Sequence, residues 1–373
     1  MPPALTGRML PRRLRTLRLL TGLIAEREPP SHPDGRETPW RELVTLATQH
    51  GLAPALWVAL RHRPELVVPA RVQSVLGLAY RRNIARNLLL KRETGDAVRA
   101  LNREGVEPLL IKGSLYLFDG TFAPGVRYMS DIDMVVPEAE QERAGRALRC
   151  LGYTPDPGKP FLHPHELPFG AAGAHAPIEL HVALGSSRVA SVLPLADAWA
   201  HSRPAGEAGL RFRGLSGTHA VVHNILHAQV QDLNHAVHGI ALRQMHTLVG
   251  LERARRGEID WHGARALLET HGLGDVHDSY VRFANRLFGM PLAESVSPAP
   301  DMHNLVCLLS FQLRWAADVR RNMAYAFGAE YMRHRYGLGD TPGSLVQARA
   351  RHAWKLAISQ RGDRVPELLT PTR

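Results

Sequence analysis

The apolar residues of this chain change their spacing twice, and that change constrains the fold more than any single motif. In Thr38–His50, Ala55–Arg61 and Arg71–Arg103 they recur every three or four positions, the period of helices that bury one face. Between 104 and 200 strand-like segments take over. Pro108–Ile111 is a short apolar run closed by Gly113. Tyr128–Val136 alternates and ends at Pro137. Phe161–Phe169 and Pro177–Leu184 read as two further strands joined by the turn Gly170–Ala176. Glu138–Leu151 is an amphipathic helix ended by Gly152. From about 216 the helical period returns in Thr218–Gln229, His235–Arg256 (opened by Asn234), Trp261–His271 and Asn304–Phe327. Glu28–Pro33 and the Pro-rich Ser295–Asp301 are loops, and the last thirty or so residues are polar, arginine-rich and weakly patterned. The expected fold is α+β: a small mixed β-sheet core at 104–200, flanked by an N-terminal helical region (1–103) and a C-terminal one (201–373).

Composition narrows the function. Among 373 residues, 45% are hydrophobic and 22% charged, the balance of a soluble globular protein. No apolar run approaches the roughly 18 residues of a membrane span. Arg8, Arg12, Arg13 and Arg15 precede the apolar Leu19–Ala25, a faint echo of an export signal. Arg18 interrupts it, however, and no small-residue cleavage site precedes Glu26-Arg27-Glu28. An amphipathic first helix in a cytoplasmic protein is the better reading. Cys150 and Cys307 make neither a disulfide framework nor a zinc site by themselves. The net charge of +11 invites a nucleic-acid reading. Yet the excess is arginine spread along the chain, and lysine occurs only at 91, 112, 159 and 355. Biased composition accounts for it; an anionic partner such as nucleotide, phosphate or RNA is the alternative.

The segments that carry chemistry are Leu110-Ile-Lys-Gly-Ser114 and Gly125-Val-Arg-Tyr-Met-Ser-Asp-Ile-Asp-Met-Val-Val136. Asp131 and Asp133 are two apart on an expected strand, so both point to one face, roughly 6.5–7 Å apart at the backbone. Two carboxylates near 4 Å repel by on the order of 4 kcal/mol at an effective dielectric of about 20. A divalent cation removes that cost, and hard oxygen ligands suit Mg²⁺. A lone D-x-D arises roughly once by chance in a chain this long. Two neighbours raise its weight: Gly113-Ser114 at a strand-to-helix turn, where phosphate is favoured, and Glu179 in Ile178-Glu-Leu-His181 on a later strand.

The order strand, Gly-Ser, short helix, Asp-hydrophobic-Asp, then a later acidic strand resembles the polymerase-β-type nucleotidyltransferase fold. More narrowly, Leu110-Ile-Lys-Gly113, Arg127, Ser130-Asp-Ile-Asp133 and Glu179-Leu-His181 resemble the bacterial family labelled only "uncharacterised nucleotidyltransferase", over roughly 108–184. The resemblance implies that Asp131, Asp133 and Glu179 hold two Mg²⁺ ions. Glu179 would also activate an acceptor hydroxyl, and Gly113 and Ser114 would cradle the phosphates of an NTP such as ATP. A nucleoside monophosphate would pass to an acceptor (small molecule, peptide or protein, or RNA), releasing pyrophosphate. Lys112 either contacts phosphate or, since strand neighbours alternate, points away. Arg127 either steadies the triphosphate or bonds loop carbonyls. Two departures stand out. Sixteen residues, Leu115–Ser130, separate Ser114 from Asp131, and His246 sits where the family often has an acid. They motivate a rival reading, a non-catalytic nucleotide- or partner-binding module on the same fold; RNA modification is a third.

Histidines add one ambiguity. His219, His223 and His227 fall on one helix face, as ligands could, but no Glu sits at His-Glu-x-x-His spacing. A polar helix face near the cleft is expected, and His163 and His165 receive the same reading.

Overall fold

A computed structural model of the chain describes residues 11–26, 38–155, 166–207, 209–291, 293, 296, 301–313, 320, 323–324, 327–329, 332–333 and 342–359. It is an α+β protein. The N-terminal helices are α1 (Arg12–Ile24), α2 (Trp40–Gln49), α3 (Ala53–Arg61) and the long α4 (Ala70–Arg103). Leu17, Leu20 and Leu23 of α1 are buried at three-residue spacing, so this segment is an amphipathic helix folded into the core. No helix among the described residues is long and apolar enough to cross a membrane.

A seven-stranded mixed sheet follows. Its strands are β1 (Leu109–Leu110), β2 (Ile132–Val135), β3 (Thr154–Pro155), β4 (Glu166–Gly170), β5 (Ile178–His181), β6 (Arg203–Pro204) and β7 (Arg213–Gly214), in the spatial order β3-β4-β5-β2-β1-β7-β6. β2 runs parallel to β5 and antiparallel to β1. Ile132, Met134 and Val136 are fully buried, as alternation from Asp131 and Asp133 requires. β3, β6 and β7 were not foreseen: two-residue strands in unpatterned stretches have no period to detect. Helices α5 (Lys112–Tyr116) and α6 (Gln141–Cys150) connect strands, with α6 packed on α4. Residues 161–165 of an expected strand, with His163 and His165, lie outside the described residues, as do the expected loop 28–33 and nearly all of 295–301.

The C-terminal helices are α7 (Ser187–Val192), α8 (Leu195–Ala200), α9 (Gly217–Ile225), α10 (Asn234–Val237), α11 (Leu242–Arg255), α12 (Trp261–Thr270), α13 (Gly274–Phe288), α14 (Met302–Gln312) and α15 (Pro342–Ser359). Three expectations need correction. The segment 218–229 is α-helical only to Ile225 and continues as a π-helical turn, Leu226–Gln231. The single helix expected over 235–256 is two. His238 adopts a left-handed φ of +53° and the chain stays open to Ala241; Asn234 opens nothing with its side chain, which instead bonds the Ala228 carbonyl. The arginine-rich tail holds a helix, α15, in its described part.

Candidate active site

The register of β2 and β5 sets the site. Asp133 is paired with Glu179, and Val135 with His181. In a parallel pair, residues in register present side chains on the same face, so Asp133 and Glu179 stand side by side. Each of Asp133, Glu179 and His181 offers a ligand atom within 4.8 Å of the others. Asp133 Oδ1 accepts from Lys112 Nζ at 2.8 Å and lies 3.1 Å from His181 Nε2.

Asp131 belongs to the same cleft but not to that tight group. The strand expected over 128–136 begins only at Ile132, so Asp131 lies just outside the ladder. The cause is a competing set of partners. Asn83 of α4 donates to the carbonyls of Gly125 and Arg127, Asn87 to that of Arg127, and Arg86 to that of Met129. These carbonyls bond helix side chains instead of a neighbouring strand. The sixteen-residue insertion is therefore a docked loop. Gly125 is required in it, because φ is +84° and a Cβ would come within 2.3 Å of Ile84. Asn83 and Asn87 escaped the sequence reading. Their signal was available: two amides one helical turn apart on the stripe that carries Leu76 and Leu90.

Lys112 points into the cleft. It opens α5 with φ of +50°, a conformation uncommon outside glycine and concentrated at functional sites. Ser114 is fully buried and its Oγ accepts the Asp133 amide at 2.7 Å, so this hydroxyl anchors the strand to the turn. A Cβ on Gly113 would lie 2.3 Å from the Arg127 guanidinium and 2.8 Å from Met129; glycine here makes room for Arg127. That guanidinium stacks over Tyr116 and donates to Thr247 Oγ1 at 3.3 Å. The far wall comes from His223 of α9, His227 of the π-helical turn, and Arg243, Gln244 and Thr247 of α11. His223 bonds the Leu184 carbonyl at 2.9 Å and His227 pairs with Asp232. Two of the three expected histidines thus line the cleft, while His219 pairs with Asp197 outside it. His246 faces away, between Phe122 and Phe288.

The electrostatics are those of crowded acids. Burial alone would raise Asp133, but Lys112 and His181 outweigh it and hold its carboxyl well below the usual range. Burial would lower Lys112; Asp133, Asp131 and Glu179 outweigh it and keep the amine charged. Burial, then Asp133, raises Asp131, and the same two causes push Glu179 up to about 7. Asp131, Asp133 and Glu179 together offer a set of hard oxygen donors that Mg²⁺ fits.

The acid end of the cleft is narrow, about 70 Å³. Tyr128, Arg243 and Gln244 also line an adjoining cavity of about 1230 Å³. Arg13, Arg82, Arg86 and Arg243 line that cavity, with Asp232 the one acid among its lining residues.

The sheet thus presents paired acids beside a half-buried lysine and a half-buried arginine. A family model described as "Uncharacterised nucleotidyltransferase" matches residues 36–289, more than half the chain, and the chain belongs to that family. No curated protein and no solved structure matches it.

Proposed function

We propose that the protein transfers a nucleoside monophosphate from an NTP to an acceptor hydroxyl, with Mg²⁺ held by Asp131, Asp133 and Glu179. The observation that carries this reading is the in-register pairing of Asp133 with Glu179 beside Lys112, within a chain of a nucleotidyltransferase family. When bound, the ions supply positive charge that neutralises the reacting phosphate and the leaving oxygens. The remaining work belongs to the chain. Lys112, Arg127 and Arg243 bind triphosphate oxygens in a water-poor cleft, where their charge acts strongly. The acceptor oxygen forms a bond to the α-phosphorus, the bond to the bridging oxygen breaks, and pyrophosphate leaves. Glu179, whose carboxyl is raised by burial and by Asp133, takes the hydroxyl proton. Ser114 and Gly113 serve by fixing Asp133 and admitting Arg127.

The acid end has room for the reacting phosphoryl group rather than for whole substrates. Nucleoside and acceptor therefore extend into the large cavity, whose arginines suit a phosphate-bearing acceptor. The test is pyrophosphate release from Mg²⁺ and each NTP in the presence of cell extract. Release that disappears in Asp131→Asn/Asp133→Asn supports transfer; NTP binding by calorimetry without any release favours the binding-module reading.

A further inference from the structure

A second group of metal-ligating side chains lies outside the cleft. His238 sits in the break between α10 and α11, and His303 and Cys307 lie one turn apart on α14. A ligand atom from each falls within 4.8 Å of the other two. The His235 ring stacks on His303 with centroids 3.9 Å apart, and the His238 ring lies 4.9 Å from His303. Nδ1 of His235 and Nδ1 of His238 are both buried and make no hydrogen bond. Buried polar atoms without partners cost stability and are rare in native proteins. His238 is also one of the few described non-glycine residues with positive φ, a strained conformation that turns its ring toward α14.

We propose that His238, His303 and Cys307 bind a zinc ion as three of its ligands. Imidazole nitrogens and a thiolate are the donor set of Zn²⁺, whereas Mg²⁺ takes oxygens, so this site and the cleft select different ions. Zinc binding breaks the Sγ–H bond, forms Sγ–Zn and releases the proton to solvent.

The site has a structural consequence. His238, Gly239 and Ile240 line the large cavity from one side, and Ser310 and Phe311 of α14 from another. α14 lies beyond residues 36–289, the span the family model matches. A zinc ion would clip this helix to the loop inside that span and so brace the cavity wall.

Cobalt reports on such a site directly. The full chain, stripped with EDTA and titrated with Co²⁺, is expected to show a near-ultraviolet thiolate-to-cobalt charge-transfer band with intense visible bands of tetrahedral cobalt. Zn²⁺ should displace it and raise the Tm. Cys307→Ser should abolish the charge-transfer band, and His303→Ala should weaken binding by at least about tenfold. Cys150→Ser and Asp133→Asn should leave the band intact, which separates this site from the exposed thiol and from the cleft. Absence of the band, or its survival in Cys307→Ser, overturns the proposal. Where Cys307→Ser does not fold, unchanged affinity in both His238→Ala and His303→Ala overturns it.

Discussion

Asp133 and Glu179 are brought together by strand register, one step across a parallel ladder. His238, His303 and Cys307 are brought together by a loop meeting a distant helix. The cleft gathers hard oxygens and carries cations of its own, whereas the histidine cluster gathers softer donors and leaves ring nitrogens unpartnered. Register is set locally by the alternation of apolar residues, so its products can be read from spacing. A meeting of loop and helix is fixed only by the packing of the whole domain, so its products cannot.

The sharpest way to break this contrast is to remove the cleft's charge. Asp131→Asn/Asp133→Asn should lower transfer by about a thousandfold or more while cobalt uptake at Cys307 is unchanged; equal loss at both would make the two regions one system. A smaller effect is expected from Gly113→Ala. The new methyl must displace Arg127 or Met129, and denaturant unfolding should register about 1–3 kcal/mol. Asn83→Ala should cost about 1–2 kcal/mol by removing a buried donor from the Gly125 and Arg127 carbonyls. Transfer should fall with it, because that loop carries Arg127 and leads into Asp131.

The last effect concerns pH. Burial depresses His223 and His246 to about 4 each, against about 6.5 in the unfolded chain. Between those values the unfolded state binds more protons than the folded one, so stability rises with pH. It is complete above about 6.5 and is lost as pH falls toward 4, by at most roughly 3 kcal/mol per histidine. Thermal melts across that window should show His246→Leu to be less acid-sensitive than the parent chain.

The acids were legible because D-x-D and Ile178-Glu-Leu-His181 carry their facing in their spacing, and the buried Ile132, Met134 and Leu180 follow from the same alternation. The turn at Lys112-Gly113-Ser114 was visible as a turn. Its working was not, since the use of Ser114 Oγ for the Asp133 amide and of Gly113 for Arg127 depends on contacts across the sheet. The start of β2 was misjudged because Tyr128–Ser130 alternate like a strand while their loop is bound to Asn83, Arg86 and Asn87, forty or more positions away in the sequence. The break at His238 had one mark, Gly239 directly after it, but a left-handed histidine leaves none in the periodicity.

The central claim is tested most directly by following an α-labelled NTP with Mg²⁺, cell extract and the purified chain. The account predicts label on an acceptor with one pyrophosphate released per label transferred, and neither in Asp133→Asn. Undiminished labelling by Asp133→Asn would contradict it.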